Sequence, residues 1–294
     1  MSIAILQTSP KKARKPQQRT LALRAAISAV ASEYERMTVR QLFYQLVARG
    51  VIEKSDNEYK RICDMSAQMR LDGTLPYRKI ADGHRSRRGV YAHGGLGEAL
   101  ADTQRHYRRN YWLEQAVNVE VWCEKDALTG VIQPVCDDYG VTYVATRGFP
   151  SLTLIYESAM AMLKLDKPTH IYYFGDHDAS GRAISENLQA SLCSHGADVV
   201  VQREGLNPWH ITQYGLPLRP GKGSDSRHAK FAAQYGDGCV ELDALPPNRL
   251  EGMVHMAIRS EIDHEAWERV RAVEAEERIT LAQIREYAWL GGIT

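Results

Sequence analysis

Two short acidic stretches carry the strongest chemical signal in this chain. VEVWCEKDA (119–127) sets Glu124 just past an apolar run, and IYYFGDHDASG (171–181) sets Asp176 and Asp178 just past another. Alternate residues of an extended chain face the same way, so Asp176 and Asp178 share a direction that His177 does not. Three carboxylates gathered at one edge repel each other and are driven toward their protonated forms. A divalent cation relieves that conflict, and an oxygen-only donor set selects a hard ion, Mg²⁺ or Mn²⁺. Gly175 and Gly181 bracket the acidic turn and let a ligand approach the backbone. His177, inside the turn, is retained as a contact to a phosphate or to the residues around the ion. Lys125 and Arg147 also fall at strand ends, where they either touch a polyanion or pair with the carboxylates.

A second signal lies far upstream, in TVRQLFYQLVARG (38–50). Val39, Leu42, Phe43, Leu46 and Val47 recur at helical spacing, with Thr38 as the cap and Gly50 as the stop. At about 100° per residue this stripe makes Phe43 the core residue and leaves Tyr44 exposed, with Arg40 its neighbour four positions back. A phenol is a weak nucleophile at neutral pH, and an adjacent guanidinium favours both its ionisation and the docking of a phosphate.

The elements that must position these groups follow from the pattern. Leu21–Met37 is alanine-rich and helical, 38–49 is a second helix, and a third starts near Ser55 or Asp56, burying Tyr59, Ile62, Cys63 and Met69. Its other face shows Lys60 and Arg61, and the arginine-dense stretch that follows holds Arg85, Arg87 and Arg88. Three short helices and a basic hairpin form the pattern of a winged helix, with one helix in a groove and the wing on phosphates. From Asn118 the rhythm becomes βαβαβαβ up to about residue 202, which predicts a parallel sheet with helices on both faces and chemistry at the carboxyl ends of its strands. The tail alternates helices with one short strand at Cys239–Leu242. This gives residues 1–110 as arm, winged-helix domain and linker, 111–205 as the α/β unit, and 206–294 as a mostly helical extension.

Composition narrows the function classes. With 294 residues, 44% hydrophobic and 25% charged, the chain has material for a real core, and no apolar run reaches the length of a membrane span. The start lacks the order of a secretory signal, and five scattered cysteines without a CxxC pair argue against a disulfide framework or a thiolate zinc site. The expectation is a cytoplasmic protein. The net charge of +1 hides an asymmetry: residues 1–118 hold 21 Lys and Arg against 11 Asp and Glu, and the remainder 16 against 25. A basic front half suits a polyanion and an acidic back half suits a cation. RPGKGS (219–224) has the wrong spacing for a phosphate loop and reads as a basic loop.

FGDHDASG with the upstream VWCEKDA resembles the Toprim domain shared by topoisomerases, primases and some nucleases. YVATRGFPSL is similar to a glycine–aromatic–proline segment of the topoisomerase VI A subunit and the related meiotic break-forming transesterase. In that family a winged-helix (CAP-like) domain precedes a Rossmann-like Toprim sheet and carries the catalytic tyrosine in an Arg-x-hydrophobic-Tyr-Tyr motif. Here the motif reads Arg40-Gln41-Leu42-Phe43-Tyr44, with Phe43 in place of the first tyrosine. The resemblance implies that Tyr44 attacks a phosphodiester of double-stranded DNA, leaving a 5′-phosphotyrosyl link, while Arg40 holds the phosphate. Glu124, Asp176 and Asp178 would bind Mg²⁺, with Glu124 also a proton donor to the leaving oxygen. Lys60, Arg61, Arg85, Arg87, Arg88, Lys125 and Arg147 would contact DNA.

The same resemblance implies a homodimer in which Tyr44 of one subunit faces the metal of the other, a location on the nucleoid, and a separate ATPase subunit. Only about twenty residues precede the first helix, fewer than the family's docking extension, and His177 and Ala179-Ser180 depart from its usual acidic turn. Two other readings stand beside this one. One is a Toprim nuclease that cuts DNA with metal-bound water, and the other a DNA-binding module without catalysis.

Overall fold

The computed structural model describes residues 18–81, 92–221 and 227–290. Three helices open it: α1 (Gln18–Glu33), α2 (Val39–Ala48) and α3 (Asp56–Leu71). A capping box starts α2: the Gln41 amide donates to Thr38 Oγ1 (3.0 Å), and the Thr38 amide donates to Gln41 Oε1 (2.9 Å). Ser55 caps α3 by accepting from the Glu58 amide, and Asp56 and Glu58 complement the positive end of that helix. A parallel bridge between Met37 and Ile80 closes the group. The three expected helices are therefore present, whereas the expected wing, with Arg85, Arg87 and Arg88, lies outside the described residues.

After α4 (Leu96–His106) come β1 (Asn118–Cys123), α5 (Thr129–Tyr139), β2 (Thr142–Ala145), α6 (Leu152–Leu163), β3 (Thr169–Phe174), α7 (Ala179–Cys193) and β4 (Val199–Gly205). All four strands are parallel, in the order β2-β1-β3-β4, a mixed α/β arrangement compatible with a Rossmann-like sheet. Each strand's alternation feeds two cores. Val121, Cys123, Tyr172 and Phe174 face α5, α2 and the tail, while Trp122, Ile171 and Tyr173 face α6 and α7. The chain leaves β1 toward β2 and then crosses back to β3 on the other side of β1. The strand order thus reverses between β1 and β3, and the crevice beyond their carboxyl ends is where ligands bind in such sheets.

The tail contains α8 (Pro208–Tyr214), β5 (Arg219–Pro220), α9 (His228–Tyr235), β6 (Gly238–Cys239), α10 (Pro247–Arg259) and α11 (His264–Leu290). The strand expected at Cys239–Leu242 is reduced to the two residues of β6, followed by a bridge between Val240 and His177. Two backbone hydrogen bonds make that bridge (2.9 and 3.0 Å), so the tail returns to the acidic turn. Leu242, Leu245, Leu250 and Val254 share one continuous core with Phe43, Tyr44 and Val121. No described helix is long and apolar enough to cross a membrane.

Candidate active site at the sheet edge

The register of β1 and β3 pairs Cys123 with Phe174, so the next residues of both strands emerge side by side. The Glu124 amide donates to the Phe174 carbonyl (2.8 Å), and the Asp176 amide donates to Glu124 Oε2 (2.9 Å). Asp178 begins α7 as its cap, with Oδ1 accepting from the Gly181 amide (2.8 Å). That role sets the start of α7 at Ala179. The two glycines are needed for packing: a Cβ at Gly175 or Gly181 would lie 2.8 or 2.9 Å from Glu124 Oε2. Burial, with Asp176 and Asp178 nearby, pushes the Glu124 carboxyl up to about 7. Burial also raises Asp176, against the pull of Lys125.

The mutual repulsion expected of these carboxylates is present, but a side chain answers it. Lys125 Nζ lies 3.1 Å from Asp176 Oδ1, 2.7 Å from Asp243 Oδ2 and 3.4 Å from Glu241 Oε2. Burial disfavours its charge, yet Asp243, Asp176 and Glu241 outweigh burial and hold the ammonium well above its ordinary range. Of the two alternatives for Lys125, the ion pairs with carboxylates are the ones formed. Asp176 Oδ1 also accepts from the Leu242 amide (2.8 Å). Among the described residues no group of three or more His, Cys, Asp or Glu side chains is gathered closely enough to hold a metal ion. The donor chemistry still suits a hard cation, because Glu124, Asp176 and Asp178 supply only oxygens, and Glu124 is raised by burial and then by the neighbouring Asp176 and Asp178.

Glu241 and Asp243, in the segment after β6, were missed by sequence reasoning, as were Arg219 and Arg203. Their signal was the one that marked the other acids: GCVELDA again sets carboxylates just past a strand. Arg219 on β5 approaches Glu241 Oε1 (3.1 Å) and Asp178 Oδ2 (3.6 Å). Arg203, half-buried in β4, donates to the carbonyls of Gly175 (2.9 Å) and Gly181 (2.8 Å) and so fixes the acidic turn from beneath. A pocket of about 80 Å³ lies beside Asp178, Ser180 and Arg219.

Tyr44 is buried, only 4% exposed, which corrects the expectation of an exposed tyrosine. The helical stripe registers one neighbour, but α2 packs against three: α1, α3 and the turn Leu242–Ala244. The ring stacks edge-on to Phe43 and lies under Lys54, whose Nζ is 5.3 Å from the ring centroid. Burial and Glu241 push the phenol up to about 12, opposed by Arg40, Lys125 and Arg219. Arg40 Nε is 2.8 Å from Glu241 Oε2. Arg40 and Tyr44 thus stand near Glu241 of their own chain.

The remaining expected residues are more scattered. Lys60 and Arg61 lie on α3 and line an open groove with Arg24 and Gln68, Arg61 pairing with Glu58 at 3.3 Å. Arg147 projects into solvent after β2 and pairs with Asp126 (2.8 Å). His177 is buried between Phe231 and Tyr235, and burial with Arg182 and Arg203 lowers it to about 4. It faces an aromatic box rather than open solvent. No family model matches this chain, and no curated protein matches it.

Proposed function

We propose that this chain is a DNA transesterase of the topoisomerase VI A-subunit kind, breaking double-stranded DNA through a 5′-phosphotyrosyl intermediate on Tyr44. The observation that carries the reading is convergence. Helix α2, with Tyr44 and Arg40, meets the segment after β6 through the Arg40–Glu241 contact of 2.8 Å, and Lys125, just past β1, joins Glu241 (3.4 Å) to Asp176 (3.1 Å) beyond β3. A nucleophile, cations for a phosphate and a carboxylate set then share one locality, as phosphoryl transfer requires.

In this reading the Tyr44 oxygen attacks phosphorus and the bond to the 3′ oxygen breaks. The phenol proton passes to solvent, and the departing 3′ oxygen takes up a proton. Glu124 is the group we assign to supply that proton. Arg40 holds the phosphate and, with Lys125 and Arg219, favours the phenolate that burial opposes. Glu124, Asp176 and Asp178 would hold Mg²⁺ or Mn²⁺, which when bound offsets charge on the transferring phosphoryl group. Lys60, Arg61, Arg85, Arg87, Arg88 and Arg147 supply the basic surface along which the duplex lies. A homodimer, a location on the nucleoid and an ATPase partner belong to the same proposal.

One observation favours a second reading, hydrolysis at the carboxylates with water as nucleophile: Tyr44 is buried and its phenol is raised to about 12. Plasmid cleavage with Mg²⁺ or Mn²⁺, quenched with detergent, separates the two. The transesterase leaves protein on the 5′ ends, and Tyr44→Phe leaves none. Protein-free ends made equally by both proteins would assign the work to the carboxylates alone.

A further inference from the structure

Three cations from three separate elements converge on one carboxylate. Arg40 of α2, Lys125 after β1 and Arg219 of β5 lie 2.8, 3.4 and 3.1 Å from the oxygens of Glu241. We propose that Arg40, Lys125 and Arg219 form the seat for a DNA phosphate, and that Glu241 occupies this seat as an internal anion until DNA displaces it. The inference rests on the reading of the chain as a DNA-cleaving protein, and deepens it by naming how the site is held closed.

Two features separate this arrangement from an ordinary structural ion pair. First, the guanidinium groups are not aligned on Glu241. The buried Nε atoms of Arg40 and Arg219 make no hydrogen bond among the described residues, although Arg40 Nε is only 2.8 Å from Glu241 Oε2. A settled arginine–carboxylate pair turns its fork of donors onto the two oxygens, and neither arginine makes that two-pronged pair with Glu241. Second, the two arginines are more reachable than the anion: the Arg40 and Arg219 side chains are 43% and 27% exposed, against 19% for Lys125 and 9% for Glu241. A phosphodiester offers what Glu241 offers, two equivalent anionic oxygens on one centre. It therefore matches the seat in charge and in form. The seat also lies beside Tyr44, whose phenol responds to all three cations and to Glu241. Displacing Glu241 thus brings a phosphate to the nucleophile and moves away the carboxylate that opposes its ionisation.

The test is binding of a fluorescent 24-base-pair duplex to the full chain in EDTA, where cleavage does not contribute. Glu241→Gln keeps the shape of the side chain and removes the competing charge. It is expected to bind about tenfold more tightly than the wild type at the same salt. Arg219→Gln, alone or with Glu241→Gln, is expected to weaken binding and lower the slope of log affinity against log salt by about one. The Arg219 variant keeps the test decisive if Glu241→Gln melts early. Equal or weaker binding by a folded Glu241→Gln protein, or an unchanged salt slope in Arg219→Gln, overturns the proposal, as does absence of DNA binding in all of them. A covalent adduct formed by Tyr44 with no Glu241 effect on affinity would leave the reaction standing and remove this seat. Tighter binding without any adduct would keep the seat and remove the tyrosine reaction.

Discussion

Lys125 Nζ donates to Asp243 Oδ2 at 2.7 Å, and Asp243 is completely buried. A buried carboxylate stripped of its cation is one of the few single changes that costs several kcal/mol. Lys125→Met is therefore expected to lose about 3–5 kcal/mol of stability, read from urea denaturation. A loss below about 1 kcal/mol would mean that the pair is not what neutralises Asp243.

The burial of Tyr44 decides which variant is a clean probe. Its hydroxyl makes no hydrogen bond among the described residues, while its ring packs in the core against Phe43. Tyr44→Phe is expected to change stability by less than about 1 kcal/mol, and Tyr44→Ala to cost about 3–5 kcal/mol by leaving a cavity. Thermal melting of both proteins checks this. An equal loss in the two would show that the hydroxyl, not the ring, is the structural part.

One contribution to stability, that of Glu120, should be lost as pH rises from about 4.5 to about 7, while His177, lowered by burial to about 4, works in the opposite direction over much of that range. Glu120, buried on β1 with the Trp122 indole as its donor (2.8 Å), is pushed by burial from 4.5 to about 7. At Glu120 the folded protein therefore binds more protons than the unfolded chain in that window, so through this group raising the pH favours unfolding. Glu120→Gln can still accept from Trp122 and carries no charge. It is expected to be more stable than the wild type above pH 7, by about 3 kcal/mol at most, and indistinguishable from it near pH 4. Glu124 shifts in the same direction, so part of the slope remains in the variant. A difference between Glu120→Gln and the wild type that does not grow between pH 4 and pH 7 would contradict the assignment.

Gly181 admits no side chain. A Cβ there meets the Asp176 carbonyl and lies 2.9 Å from Glu124 Oε2. Backbone cannot yield as a side-chain tip can, so Gly181→Ala is expected to lose about 1–3 kcal/mol and to move the acidic turn. Gly252→Ala, on α10 where nothing lies within 4 Å, is the control and is expected to be neutral or stabilising. Similar losses in the two variants would remove the packing argument.

The sheet was legible because its information is local. NVEVWC and the IYYF that ends β3 are apolar runs bounded by turn residues, and their length alone fixes strands that end at Cys123 and Phe174, just before the acids. The cap of α2 was legible for the same reason, since Thr38 and Gln41 sit three residues apart. The environment of Tyr44 was not, because the segment that covers α2 lies about 200 residues downstream. Thr38 meets Asp243 at 3.5 Å, and no periodicity in either stretch refers to the other. Lys125 shows the same limit: its position at a strand end fitted DNA or carboxylates equally well, until the Val240–His177 bridge brought Glu241 and Asp243 to it.

The central claim is that Tyr44 is the nucleophile, and the most direct measurement is to find the atom that holds the DNA. Full-length protein is incubated with duplex and Mg²⁺ or Mn²⁺, denatured, digested with nuclease and trypsin, and analysed by mass spectrometry. The account predicts a nucleotide linked through its 5′ phosphate to Tyr44, absent in Tyr44→Phe. Cleaved DNA with no linked peptide, or a nucleotide on another residue, would contradict it.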